Sequence, residues 1–451
     1  MKKTIKILVL FIGLLFIANS SMAMQTGKID KLVNQSKVNQ TSTIAISIRN
    51  GSTGKIVYEK DAEKLLHPAS TLKIPSTYFS VNTLGYDYFF KTKFYTDNKN
   101  LYIKLGADPS LSSAQLKEAF KKLKEQNLNA FDNLYIDDSI IDKKEFSQGW
   151  MWDDDVNPYT PKVSAYNLDD NVIKINFSVA KDGTIKTTSA SKYPMSVFTY
   201  IQKSAKSEYF DINRYNWNNP ELIEIYGNTK SSGFIKLPIS SMRRYFIYNL
   251  NKIIDDERIK IKSTSYASKI VPSSAKEVYE IVNPMEPIIK DILQESNNLK
   301  AETLYKLAGG TSYQSTGSDL AAFNAMMSFY KNVDFSTVLI KDGCGVSRNN
   351  LISANWMTEI LNKIYKDKNF EKFKEYMAQP GDGTLSKRLY DLRGDAWLKT
   401  GSLANISAIS GFINSQDGNT YIVTIFTQNF IEDQQDIKNF EDEIIKLIYS
   451  R

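Results

Sequence analysis

Pro68-Ala69-Ser70-Thr71-Leu72-Lys73 places a serine and a lysine three residues apart, and on a helix that spacing puts both side chains on one face. At a helix start the serine hydroxyl meets an amine able to take its proton. Nucleophile and base then come in one short segment, with no histidine needed. The spacing recurs at Ser52-Lys55, Ser178-Lys181, Ser189-Lys192, Ser273-Lys276 and Ser328-Lys331, so the pattern alone selects nothing. Context selects Ser70. His67-Pro68-Ala69 ahead of it reads as a turn into a helix, and the run Ile74 to Leu84 behind it is apolar and aromatic. Pro75 is the discordant residue, because inside a helix a proline removes a hydrogen bond and kinks the axis.

Two further motifs are needed to build a site. Lys399-Thr400-Gly401-Ser402 opens a segment that reads as a buried edge strand, running on through Ala408 to Phe412. Gly401 lets a ligand backbone approach closely. A cation beside two hydroxyls suits a substrate carboxylate. Ser-x-Asn occurs at Ser80-Val81-Asn82, Ser296-Asn297-Asn298, Ser347-Arg348-Asn349 and Ser353-Ala354-Asn355. Ser296-Asn297-Asn298 is preferred because it opens a helix with apolar spacing at Leu299, Leu304 and Leu307, which leaves its polar side chains at an exposed helix start.

With these motifs in order, the chain resembles a low-molecular-mass class C penicillin-binding protein, the D-alanyl-D-alanine carboxypeptidase/endopeptidase family. The resemblance is also carried by Gly106-Ala107-Asp108-Pro109-Ser110-Leu111, Gly149-Trp150-Met151-Trp152-Asp153-Asp154, Ala301-Glu302, Asp342-Gly343-Cys344-Gly345-Val346-Ser347-Arg348-Asn349 and Asp382-Gly383-Thr384-Leu385. It spans nearly all of the chain after the export signal. Cys344 stands where the family more often has serine, and Ala107 interrupts the usual Gly-Asp-Pro. The resemblance implies acyl transfer: Ser70 attacks the penultimate D-alanine carbonyl of a peptidoglycan stem peptide and Lys73, held neutral by burial and by Lys399, accepts the proton. It further implies that Ser296 relays a proton to the leaving amine and Asn298 holds the substrate amide. Lys399, Thr400, Gly401 and Ser402 then receive the terminal carboxylate, and β-lactams act as covalent inhibitors. Asp154 is the implied partner of a side-chain amine, although its acidic run reads equally as a solvated loop. Trp150 and Trp152 are expected to pack, and Glu302 to support its helix.

Bulk properties narrow the alternatives. The chain has 451 residues, a net charge of +7 and a single histidine and cysteine, His67 and Cys344. Lys2, Lys3 and Lys6, the apolar run Ile7 to Ala18 and Ser21-Met22-Ala23 read as a signal peptide cleaved after Ala23, with uncleaved anchoring as the other reading. Its removal takes the charge from +7 to +4, which is no nucleic-acid signature. One cysteine forbids an intrachain disulfide, and one histidine rules out a histidine-rich zinc centre. No cofactor or metal is expected. A Ser-His-Asp triad would have to use His67, which instead reads as a residue that caps or packs the turn before Ser70. Cys344 reads as a small packing residue rather than a reactive thiol.

The expected fold is α/β (α+β), a penicillin-binding/serine β-lactamase-like domain whose antiparallel sheet is flanked by helices and interrupted by a β-rich accessory insertion. A helix around Ile29 to Gln35, strands Thr43 to Arg49 and Lys55 to Lys60, and the Ser70 helix form its first part. Strands Asp395 to Thr400, Ile406 to Asn414 and Thr420 to Gln428 and a helix Gln434 to Tyr449 form its last. That helix has one apolar face, for packing on the sheet or for peripheral membrane attachment. Residues 24–84 and 268–451 are assigned to the peptidase domain, and 85–267 to one accessory domain or two nested ones. The middle is expected to hold short strands and one amphipathic helix, Ser113 to Gln126. The rival readings are a class D-like β-lactamase, against which the large insertion counts, and a non-catalytic protein that binds cell-wall peptides.

Overall fold

The structure, a computed structural model, describes residues 27–214, 220–263 and 266–451; the expected export signal lies outside them. A helix over residues 27–35 precedes β1 (Thr43–Asn50) and β2 (Ile56–Lys60), which pair around the turn at Gly51. The middle of the chain supplies β3 (Phe89–Thr96), β4 (Asn100–Lys104), β5 (Ala130–Asp137), β6 (Val172–Val179), β7 (Ile185–Ser189), β8 (Ser196–Lys203), β9 (Tyr209–Asn213), β10 (Leu222–Thr229), β11 (Gly233–Pro238), β12 (Lys260–Ser263) and β13 (Lys276–Pro284). The chain ends with β14 (Ala396–Leu403), β15 (Ile406–Asn414), β16 (Thr420–Gln428) and the helix Gln434–Tyr449.

The two chain ends build one antiparallel sheet, ordered β14-β15-β16-β1-β2. Alternation along its strands divides the core. Ala408, Phe412, Ile422 and Phe426 join the core that holds the Ala354–Tyr365 helix, Phe412 meeting the rings of Tyr365 and Phe370, whereas Ile409, Ile413, Val423 and Ile425 pack under the C-terminal helix. That helix buries Ile437, Phe440, Ile444, Ile445 and Ile448, so its apolar face is covered by the sheet. Among the described residues, no helix is long and apolar enough to cross a membrane.

The Lys399 motif departs from its expected placement. Lys399 to Ser402 lie in the second half of β14, and residues 404–405 turn the chain before β15. Leu403 pairs with Ile406 across a two-residue turn, and Asn405 takes a left-handed conformation (φ 60°) that asparagine tolerates. The segment from Lys399 to Phe412 is therefore a hairpin rather than one strand, with β14 on the sheet edge.

In the middle, a five-stranded sheet runs β12-β5-β4-β3-β13, and strands β6 to β11 form two three-stranded sheets that fall in sequence between β5 and β12. β13 lies beyond residue 268, yet it pairs with β3 from Lys276 to Pro284 and so belongs to the accessory sheet. A second amphipathic helix, Met242–Glu257, joins the expected Ser113–Glu125 and buries Tyr245, Phe246, Leu250, Ile253 and Ile254. Serines cap both: Ser112 accepts from the Gln115 N–H and Ser241 from the Arg244 N–H.

The Lys73–Leu84 helix is buried from Lys73 to Val81 and lies alongside the Asn298–Tyr313 helix, itself buried from Leu299 to Gly310. Packing these helices together places Asn298 beside Lys73. Pro75 causes no break, because residues 69–72 form a 3-10 turn and the α-helix starts only at Lys73. Proline is thereby in the first turn, where a missing N–H costs least.

Candidate active site

Ser70 sits in the 3-10 turn, and the residue before it is strained: Ala69 has φ 44°, a left-handed value disfavoured for residues with a Cβ. His67 fixes this turn. Its Nδ1 accepts the Ala69 N–H at 3.0 Å, which leaves Nε2 to donate to the Ser347 carbonyl at 2.6 Å. Burial lowers the His67 pKa, in keeping with a neutral ring whose two nitrogens are both engaged. His67 thus ties the Ser70 turn to the 342–350 loop.

Lys73 is fully buried, and its Nζ lies 2.9 Å from Ser70 Oγ, 2.5 Å from Asn298 Oδ1 and 2.5 Å from the Cys344 carbonyl. Burial lowers its pKa, opposed by Cys344 and by the carboxylates of Asp342 and Glu302. Lys399 is fully buried as well and donates to the Thr400 carbonyl at 2.9 Å. Burial and then the charge of Lys73 push its pKa far down, with Glu295 opposing. Two buried ammonium groups in one field disfavour each other, so the pair favours a neutral amine.

β14 lies directly against Ser70. A Cβ on Gly401 would come within 2.8 Å of both the Ser70 nitrogen and the Ala69 Cβ. Gly401→Ala is therefore expected to push the strand off Ser70 and slow acylation by at least about tenfold, within the roughly 10² that a 1 Å misplacement can cost. Stopped-flow kinetics with a chromogenic β-lactam measure this.

Asn298 begins its helix, with Asn297 as N-cap accepting the Lys300 N–H at 3.0 Å. Its amide nitrogen donates to the Tyr159 carbonyl at 2.7 Å, which orients Oδ1 toward Lys73. Ser296 is half-buried in a left-handed conformation (φ 64°), and its hydroxyl bonds to neither Ser70 nor Lys73. The structure thus joins Ser70, Lys73 and Asn298 directly, with Gly401 against them and Ser296 adjoining outside that hydrogen-bonded set.

The acidic run resolves into three different carboxylates. Asp155 is held by Arg214 at 2.6 Å and by Lys162 at 3.1 Å. Asp154 is half-buried, accepts the Met151 N–H at 2.9 Å and has a pKa raised by burial, while Asp153 is exposed. Asp154 touches none of the catalytic candidates. The tryptophans also part company: Trp150 donates to Asp342 at 2.8 Å, but Trp152 is 69% exposed and does not pack.

Asp342, quoted from the sequence only within a family segment and given no role there, anchors the site. Its Oδ1 accepts from the Gly345 N–H at 2.9 Å and Asn350 Nδ2 at 2.7 Å; its Oδ2 accepts from Trp150 and from the N–H groups of Val346 and Ser347 at 2.9 and 2.6 Å. Buried Glu302 accepts the Gly343 and Cys344 N–H groups at 2.8 and 3.1 Å. Together these carboxylates curl residues 343–347 so that the Cys344 carbonyl meets Lys73. Gly345 (φ 83°) completes the fit, since a Cβ there would fall 1.9 Å from the Ala69 carbonyl. The Cys344 thiol is buried with its pKa raised by that burial, as a packing residue. The only available signal was the Asp-Gly-x-Gly string itself.

The model of the D-Ala-D-Ala carboxypeptidase 3 (S13) family matches residues 25–450. The chain is 20% identical over 404 residues to the D-alanyl-D-alanine carboxypeptidase DacB of Haemophilus influenzae, covering 85% of this chain and 84% of that one. It is 23% identical to the penicillin-sensitive carboxypeptidase A of Dictyostelium discoideum over 425 residues, 84% and 81% of the two chains. Among solved structures, penicillin binding protein 4 from Haemophilus influenzae superposes with a TM-score of 0.81 at 20% identity, covering 94% of this chain and 99% of its own. The fold is thus that of the penicillin-binding proteins.

Proposed function

The chain belongs to the D-Ala-D-Ala carboxypeptidase 3 (S13) family, and on that premise we propose that Ser70 is the nucleophile of this carboxypeptidase and Lys73 its base. One observation carries the assignment. A neutral amine has two N–H bonds and one lone pair; Asn298 Oδ1 and the Cys344 carbonyl take the two N–H bonds, so the lone pair is left for the Ser70 hydroxyl at 2.9 Å.

The reaction then runs as acyl transfer. Ser70 Oγ attacks the carbonyl of the penultimate D-alanine as Lys73 takes its proton. The backbone N–H groups of Ser70 and Ser402 stabilise the oxyanion, each donor contributing about 3 kcal/mol in comparable sites. Collapse breaks the C–N bond, and the proton returns from Lys73 to the leaving amine through Ser296. Thr400 and Ser402, with Lys399 behind them, hold the terminal carboxylate. Asn298 binds the substrate amide, and Asp154 faces a side-chain amine of the stem peptide. Water finally releases the acyl-enzyme. Export ahead of residue 24 places this chemistry at the cell wall.

Incubation with a β-lactam followed by intact-mass and peptide-map spectrometry tests the assignment. The expected result is one long-lived adduct on the peptide containing Ser70. Rapid release of hydrolysed drug would favour the lactamase reading instead, and absence of any adduct would favour a peptide-binding protein without chemistry.

A further inference from the structure

Beyond Asn298 the site opens into a cavity of about 580 Å³, within the range of small-ligand sites. One wall is the Ser296-Asn297-Asn298 turn; the facing walls are Phe210 and Ile212 of β9 and Phe234, Ile235 and Lys236 of β11. Alternate side chains of a strand point to opposite faces. Three consecutive residues therefore line a cavity only where it meets the strand's edge. β11 is an edge strand, paired with β6 alone, and β9 is the edge of the neighbouring sheet.

The hydrogen-bond parity of β11 shows which groups are left over. The Lys174 carbonyl accepts from Ala190 on the β7 side, so Lys174 and Asn176 point their backbone groups toward β7. Ile173, Ile175 and Phe177 then bond to their partners Leu237, Ile235 and Gly233 in β11. The Ile239 N–H to Asn171 carbonyl bond extends the same parity. Phe234, Lys236 and Pro238 consequently point their backbone groups away from the sheet. At Pro238 there is no N–H, and its carbonyl accepts from Arg214 Nη2 at 2.6 Å. At Phe234 and Lys236 no backbone partner occurs among the described residues.

We propose that this cavity binds the stem peptide of a muropeptide on the acyl side of the scissile bond, as an extended chain pairing with the free edge of β11 at Phe234 and Lys236. The proposal rests on the reading of Ser70 and Lys73 given above. Continuity with the reacting centre selects the occupant: Asn298 both touches Lys73 and lines the cavity, whereas Thr400 and Ser402, assigned to the terminal carboxylate, lie outside it. An unpaired strand edge is a template for an extended peptide. Binding energy gathered there is available only to substrates long enough to reach it.

Lys236→Pro deletes the outward N–H at a position where a strand tolerates proline, and Lys236→Ala removes the side chain but keeps that N–H. Each variant is assayed with a disaccharide pentapeptide and with diacetyl-lysyl-D-alanyl-D-alanine, which lacks the sugars and the stem residues ahead of the lysine. The expected result is a fall of about tenfold in kcat/KM for the disaccharide pentapeptide with Lys236→Pro alone. The tripeptide and the rate of β-lactam labelling stay within about twofold of wild type for both variants. Equal loss with both substitutions, equal loss on both substrates, or no loss overturns the proposal. Should Lys236→Pro fail to fold, amide exchange in the wild type decides: the disaccharide tetrapeptide must slow exchange at Phe234 and Lys236. A wild type that cleaves neither substrate and takes no β-lactam would refute the assignment of Ser70, while amide protection would still report on the cavity.

Discussion

Lys73→Met is expected to lower the rate of β-lactam acylation by at least about 10³, roughly 4 kcal/mol of activation free energy, while the protein stays folded. Methionine fills nearly the same space, so the buried helix start keeps its packing. What disappears is the lone pair facing Ser70, together with the donors to Asn298 and the Cys344 carbonyl. Folding stability should move the other way. The Lys73 pKa is lowered in the folded protein, so below that lowered value the buried amine must carry its charge out of water, and folding is penalised. Across the window up to the ordinary lysine value the unfolded chain binds more protons, and wild-type stability rises with pH. Lys399, lowered for the same reason, adds to this slope. Lys73→Met removes its share, so the variant should melt at a temperature equal to or above wild type at neutral pH and show a shallower rise on going alkaline. An inactive variant that is also strongly destabilised would mean that Lys73 acts as a structural cation rather than a base. Calorimetry and stopped-flow labelling on the same samples separate the two.

How much of this was legible in the chain follows from the physics of each part. Ser70 and Lys73 were readable because their relation is local: one helical turn fixes it, whatever the rest of the fold does. The sheet was readable for a similar reason, since Ile406 to Asn414 and Thr420 to Gln428 are apolar on both faces and both faces are buried. Asn298 could be selected among four candidates because a helix start has a side-chain signature. The Asp342 loop was opaque, because its contacts run from one carboxylate to backbone N–H groups, which every residue possesses and no sequence distinguishes. Trp152 misled because a tryptophan is normally covered, and here the 3-10 turn Trp152–Val156 aims it outward. The Lys399 hairpin was half legible: strands ending at Thr400 and starting at Ile406 were expected, yet the motif was also read on through Phe412, because Ala404-Asn405 lacks the glycine that usually announces a two-residue turn. β13 was not read as a strand at all, because pairing with β3 across about 180 residues leaves no local trace.

Asp342→Asn should produce the second large loss, about 10² in the acylation rate, without touching any group that contacts substrate. The carboxylate accepts three backbone N–H groups, the Trp150 indole and the Asn350 amide. An asparagine offers one oxygen to this set and turns its own N–H₂ toward donors, leaving buried groups unpaired. The loop from Gly343 to Ser347 must then shift, and three parts of the site move with it: the Cys344 carbonyl that orients Lys73, Gly345 against Ala69, and the Ser347 carbonyl that holds His67. Loss of rate alone would not distinguish this from general damage, but the pH profile does. Asp342 raises the Lys73 pKa, so removing its charge lowers that pKa further. Because the base must be neutral, the limb of the profile on which activity falls with falling pH should move to lower pH, even as the plateau drops. A plateau that falls with the acidic limb unmoved would show that Asp342 acts through shape alone, and a limb displaced to higher pH would contradict the assignment of Lys73 as the group titrating in that limb.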